Sequence, residues 1–329
     1  MKIIILIIIT ILIFTNALTD APNAIATLVG TKTMQFKKAA KLSAVFNLLG
    51  IIVMSFINFS VADCISSIVN ITDGVKGYIV LISAIISVIV FALLALAFGI
   101  PTSETHALTA GLTGAAIAVY GIKGVNFSEW INILVGLIWS IIGTIFLSVL
   151  VIKIFKKNVE KLSESKIKLA QIISTCGMSF MHGAQDGQKF IGILIVFICL
   201  LNKTEIPEFA NPNDYILIII YVAIVMAIGV SFGGKKIVQN IGTDMVSLNI
   251  REGLFSDIVT VFTLLLASLF GLPVSTTHVK TVSIIGVGKC SGRRFNSKKV
   301  IDICKAWIFT FPVCGILAYL LAILILIYV

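Results

Sequence analysis

The sequence predicts an all-α integral membrane protein built from two inverted repeats, each with a broken first helix and a re-entrant-type helical hairpin. Three observations carry this. Of the 329 residues 58% are hydrophobic and 12% charged, and the mean hydropathy is +1.10, far outside the range of soluble domains. One polar octet occurs twice, as Gly99-Ile100-Pro101-Thr102-Ser103-Glu104-Thr105-His106 and as Gly271-Leu272-Pro273-Val274-Ser275-Thr276-Thr277-His278. The 25 lysines and arginines gather in alternate loops, four in 32–41, six in 153–168, three in 235–251 and five in 289–299, while the intervening loops hold only Lys2, Lys76, Lys123 and Lys203. The positive-inside rule makes the first set cytoplasmic and puts both termini outside a cell (plasma) membrane that the chain crosses many times.

A chain of this length has room for about ten apolar elements of about 20 residues each. The first half supplies runs at 3–30, 42–62, 78–98, 105–120 and 131–155. The charged stretch KIFKKNVEKLSESKIK, 153–168, follows. The second half supplies 169–201, 215–233, 253–271, 273–288 and 300–329, an echo of the first in order and length. The organisation is therefore a first transmembrane repeat over 1–152, a cytoplasmic connector over 153–168 and a second, inverted repeat over 169–329, the plan of an inverted-repeat transporter. Residues 1–17 resemble a signal peptide, but their removal would break the repeat, so they read as an uncleaved first helix.

Composition excludes other classes. The net charge of +10 lies in short connectors rather than in a basic groove with interleaved aromatics, so no nucleic-acid partner is expected. The six cysteines are scattered, with no C-x-x-C pair to suggest zinc, redox work or a disulfide framework.

Polar residues inside the apolar runs mark the candidate site, because ionisable groups at membrane depth are functional by default. The first run carries Thr19, Asp20, Pro22 and Asn23, and its counterpart carries His182, Gly183, Gln185, Asp186, Gly187, Gln188 and Lys189. Pro22 lacks an N–H and biases Ala21 out of the helical region, so a break is expected there. Gly183 and Gly187 predict the same break around Asp186. In each octet a proline precedes a Ser/Thr cluster, a helix start whose hydroxyls and free N–H groups favour an anion.

The segments TDAPNA, QDGQKF, PTSETH and PVSTTH, in this order and spacing, resemble those of the PiT family of inorganic phosphate transporters, in its bacterial low-affinity phosphate permease branch, over essentially the whole chain. The resemblance implies symport of inorganic phosphate by alternating access, with phosphate between the repeats and a coupling cation, H+ or Na+, beside it, and no other cofactor. It implies substrate binding by Thr102, Ser103, Thr105, Ser275, Thr276, Thr277, Asp20 and Asp186, and coupling-ion binding by Asp20, Asn23, Gln185, Asp186, Gln188 and Lys189. His106, His182, His278 and Glu104 are candidates for gating or proton relay. Two departures matter. Thr19 and Gln185 stand before the aspartates where the family usually has Asn or His, and Lys189 stands where the first half has Asn23. A fixed ammonium there would fill a sodium position, which shifts the expected coupling ion to the proton.

Each residue also has a plainer reading. Asp20 and Asp186 read as partners of Lys189 or of backbone donors, the hydroxyls as helix caps, and the histidines as packed residues. Glu104 and Lys280 read equally as solvent-facing groups at the mouth of the site or as part of it. Neutral hydroxyl and N–H donors suit a carrier that must release its anion, and no arginine precedes Arg251. A carboxylate acceptor at the site favours hydrogen phosphate over sulfate, which has no proton to donate, and leaves a sulfate or other oxyanion permease as the alternative. A metal-dependent membrane hydrolase would need three convergent ligands, which the sequence does not offer, so no enzyme is expected. The partners are inorganic phosphate, free or as a metal–phosphate complex, and the lipid bilayer, with a homodimer left open.

Overall fold

A computed structural model describes residues 2–71, 74–207 and 210–328, the side chain of Thr243 excepted. Fourteen α-helices follow one another among these residues: α1 Lys2–Thr19, α2 Pro22–Gly30, α3 Phe36–Ile57, α4 Ser60–Ser66, α5 Gly74–Phe98, α6 Glu104–Tyr120, α7 Phe127–Ile138 and α8 Thr144–Glu160, then α9 Glu164–Asn202, α10 Ile216–Phe232, α11 Lys235–Gln239, α12 Ile250–Leu269, α13 Thr276–Cys290 and α14 Ser297–Tyr328. No strand occurs among the described residues, and eight spans are long and apolar enough to cross a membrane. This is a multi-pass, all-helical membrane protein.

The α1–α2 break falls where Pro22 predicts it. The helix is interrupted at Asp20 and Ala21, although Ala21 keeps helical dihedrals (φ −59°, ψ −29°) and is not pushed out of the helical region as Pro22 led us to expect; the chain re-enters through short-range bonds from Asn23 N to Asp20 O (3.0 Å) and from Ala24 N to Ala21 O (3.0 Å). The break expected around Asp186 is absent, because α9 runs unbroken from Glu164 to Asn202. Packing supplies the reason. A methyl on Gly183 would stand 2.2 Å from the Asn47 carbonyl oxygen of α3, and one on Gly50 of α3 would stand 1.9 Å from the Phe180 carbonyl oxygen. The glycines let two backbones touch rather than letting one unwind, as small residues do between membrane helices. In the most apolar window of α9, 89% of the residues are buried, so this helix forms the centre of the bundle.

Around it the contacts of the two halves mirror each other. Helix α6 packs on α5 and α14, while α13 packs on α12 and α8. Each triad thus borrows its third helix from the other half. Likewise α3 lies on α9, and α10 lies on α1. The turns that lead into α6 and α13 are also alike: Gly99 (φ +68°) and Gly271 (φ +67°) take the left-handed conformation that a side chain resists.

Candidate functional site

The two octets enter the bundle as extended turns capped in the same way. Ser103 Oγ accepts from His106 N at 3.3 Å, and Ser275 Oγ accepts from His278 N at 3.2 Å, so both serines are N-caps that keep a hydroxyl proton to donate. Two π-helical turns flank the octets. Asn240, which opens the turn Asn240–Asp244, donates to Gly99 O at 2.5 Å. Trp139, which opens Trp139–Gly143, donates to Thr263 O at 3.0 Å beside the second octet.

Each aspartate segment is tied to the octet of the opposite half. Asp20 Oδ1 accepts from the Thr277 hydroxyl and from Asn23 Nδ2 at 3.0 Å, and Asn23 Nδ2 also reaches Thr277 Oγ1 at 2.6 Å. In the counterpart, Lys189 Nζ donates to Asp186 Oδ1 (2.7 Å), to Thr105 Oγ1 (2.6 Å) and to Val274 O (2.9 Å), while Thr105 Oγ1 donates to Val274 O at 3.0 Å. Asp20–Thr277 and Asp186–Lys189–Thr105 are therefore two cross-braces between the halves of the chain. All of these side chains are buried.

The remaining residues singled out in the sequence divide. Thr19 Oγ1 donates to Glu104 Oε1 at 3.1 Å, which places the buried Glu104 inside the site rather than at a solvent mouth. Thr102 and Thr276 are buried in the same turns. Gln185 holds the second turn, with Nε2 on Ser268 Oγ (2.9 Å) and Leu272 O (3.3 Å) and Oε1 accepting from Val274 N (3.4 Å). Gln188 Nε2 binds Asn58 O at 2.8 Å, away from the two aspartates. Asn47 Nδ2 donates to Ser43 O (3.0 Å), which turns Asn47 Oδ1 to His182 Nδ1 at 2.8 Å and puts the ring proton there. The other nitrogen, Nε2, lies 3.2 Å from Asp186 Oδ2, close enough for an ion pair yet without hydrogen-bond alignment. His106 and His278 meet edge to face, centroids 4.6 Å apart, and pack on Phe311 and Trp307 of α14. They face an apolar cleft of about 720 Å³ between α8, α13 and α14, not the carboxylates.

Four buried polar atoms of this centre have no hydrogen-bond partner within the protein: Asn23 Oδ1, Glu104 Oε2, Asp186 Oδ2 and Thr276 Oγ1.

One polar cluster escaped the sequence reading. Lys280, read there as a candidate for the solvent mouth, is fully buried and paired with Asp257. Asp257 Oδ1 also accepts from Thr27 (2.5 Å), and Oδ2 accepts from Thr175 (2.8 Å) and Ser174 (3.4 Å). The signal was present in the spacing of Asp20, Asn23, Thr27 and Thr31, polar positions three to four residues apart along α2 and the turns at its two ends.

Comparison with known proteins follows this geometry. The model of the phosphate transporter family matches residues 16–318. The chain belongs to the phosphate transporter family. It is 32% identical to a probable low-affinity inorganic phosphate transporter of Bacillus subtilis, covering 96% of this chain and 97% of that one, and 29% identical to the protein of the same description from Rhizobium meliloti, covering 93% and 91%. A solved structure described as the sodium-dependent phosphate transporter shares the fold, with a TM-score of 0.82 at 23% identity over 100% of this chain and 99% of that one. These relatives of the family member are transporters, not enzymes.

Proposed function

We propose that this protein imports inorganic phosphate across the plasma membrane by cation-coupled symport with alternating access. The pair of cross-braces carries the reading. Each brace joins one repeat's aspartate segment to the other repeat's hydroxyl turn, so the centre must come apart when the repeats move, and ligands bound there are released by that motion. Phosphate sits between the turns of Thr102, Ser103 and Thr105 and of Ser275, Thr276 and Thr277, with one orphaned carboxylate oxygen, of Asp186 or of Glu104, accepting the single proton of hydrogen phosphate and the other left for the cation. Sulfate has no such proton.

Charge supports the coupling. Four buried carboxylates, Asp20, Glu104, Asp186 and Asp257, face two buried ammonium groups, Lys189 and Lys280. An anion entering this excess of negative charge needs an accompanying cation. The apposed His182 Nε2 and Asp186 Oδ2, neither with a hydrogen-bond partner, and the open oxygens of Asn23 and Glu104 are where one is wanted. Lys189 already occupies the position that mirrors Asn23, which favours a proton over sodium.

Topology follows from parity. Four of the eight spans lie in the first half, as α1–α2, α3, α5 and α7–α8; with the 17-residue α6, which is not among those spans, taken as a fifth crossing element, 169–329 is inverted relative to the first half. The mirrored triads support this arrangement. The connector 153–168 is cytoplasmic and both termini are external. Each octet is a tucked turn within a helical hairpin, and only the first repeat has a broken leading helix. Counterflow of labelled phosphate against labelled sulfate in proteoliposomes tests the substrate. Phosphate exchange that excess sulfate does not inhibit is expected, and equal exchange of both anions would overturn the selectivity argument.

A further inference from the structure

The Asp257–Lys280 cluster belongs to neither octet nor either aspartate segment, and it has the composition of a cation site. Around the Lys280 ammonium stand the Asp257 carboxylate and the Thr27 hydroxyl, 3.1 Å from Nζ, while the hydroxyls of Thr175 and Ser174 complete the oxygen set on Asp257. Carboxylate and hydroxyl oxygens are the ligands that hard cations take. Among the described residues Lys280 is the largest fully buried side chain. Its surroundings repeat those of Lys189, whose ammonium also binds one aspartate oxygen and one threonine hydroxyl of the other repeat.

Position adds a second observation. Thr27 lies one helical turn beyond Asn23 on α2, and Lys280 one turn beyond Thr277 on α13. Thr27–Lys280 is thus the next rung after Asn23–Thr277, on the side of the lysine-rich loops. A bare ion pair is a poor way to close a seam in lipid, because apolar residues of the same volume are usually as stable or more so. The α3–α9 contact of this protein shows the apolar solution, with glycines and backbone in direct touch.

We propose that Lys280 is a tethered cation: its ammonium fills a monovalent-cation site built by Asp257, Thr27, Thr175 and Ser174, so this rung closes without a mobile ion. Lys280→Met removes the ammonium from between Asp257 Oδ1 and the Thr27 hydroxyl and leaves a buried carboxylate, still bonded through Oδ2 to Thr175 and Ser174, with no cation beside it. The claim is independent of what the anion is, because its readout is thermal.

The experiment compares unfolding of the purified full chain in lipid nanodiscs, without phosphate, in NaCl and in choline chloride of equal strength. Lys280→Met is expected to melt earlier than the unaltered protein in choline and to regain about 2 °C or more in 100 mM Na+, saturably, which corresponds to Na+ at roughly ten times its dissociation constant. The unaltered protein and Asp257→Asn/Lys280→Met lack that gain. If Lys280→Met shows the same Na+ response as the double variant, the site is not a cation site and the proposal fails. Should Lys280→Met give no folded protein in choline, its yield when produced and purified in 100 mM Na+ decides: recovery of folded protein there supports the proposal, and a yield as poor as in choline overturns it.

Discussion

Replacing Thr277 with valine keeps the shape of the side chain and removes one oxygen, the one that joins the two halves of the chain at Asp20. The lost bonds are a hydroxyl-to-carboxylate bond, worth about 1.5–3 kcal/mol, and an amide-to-hydroxyl bond of about 1 kcal/mol. Asn23 Nδ2 retains its 3.0 Å bond to Asp20 Oδ1, which softens the loss. A net cost of about 2–3 kcal/mol falls on the closed centre, or roughly 30- to 150-fold in apparent affinity at 1.4 kcal/mol per decade. The assay is the phosphate concentration for half-maximal uptake into proteoliposomes. Thr281→Val is the matched control, since Thr281 lies one turn along α13, is equally buried, and has a hydroxyl with no partner. It should leave uptake unchanged and stability unchanged or slightly raised. If Thr277→Val and Thr281→Val behave alike, the Asp20–Thr277 contact is incidental to transport and the reasoning from cross-braces fails.

Ser103→Ala and Ser275→Ala each remove a cap and an anion donor, so each should cost about 0.5–2 kcal/mol in stability and about ten-fold in apparent phosphate affinity; unchanged uptake curves would reduce both serines to caps. Lys189→Asn, which gives the second repeat the residue of the first, should make uptake sodium-sensitive or abolish it, as read by uptake with and without Na+. Gly183→Leu should prevent α3 from meeting α9 and abolish folded yield, judged by size-exclusion profile, because its side chain would overlap the Asn47 carbonyl.

The octets and aspartate segments were legible because they are local: a polar run in an apolar chain announces itself, and its repetition announces a pair. The helix spans were legible for the same reason, with α5, α6 and α14 falling within a few residues of their apolar runs. What failed depended on partners distant in sequence. Gly183 and Gly187 permit either an unwound turn or a close helix contact, and only the position of Asn47 on another helix decides between them. Lys280 looked as ready for solvent as for burial, since nothing near it in the sequence points to Thr27, which lies in the other repeat. The histidines showed the converse. Their place in the repeated octets suggested the polar centre, yet Phe311 and Trp307 draw His106 and His278 to an apolar cleft.

The central claim is coupled movement of phosphate through the braced centre. It is tested most directly by labelled phosphate uptake into proteoliposomes with a proton gradient and a sodium gradient imposed separately, for the unaltered protein and for Asp20→Asn. Uptake above equilibrium driven by the inward proton gradient, little changed by sodium and lost in Asp20→Asn, is the predicted result. Phosphate that merely equilibrates whichever gradient is imposed, or concentrative uptake that survives Asp20→Asn, would contradict the account.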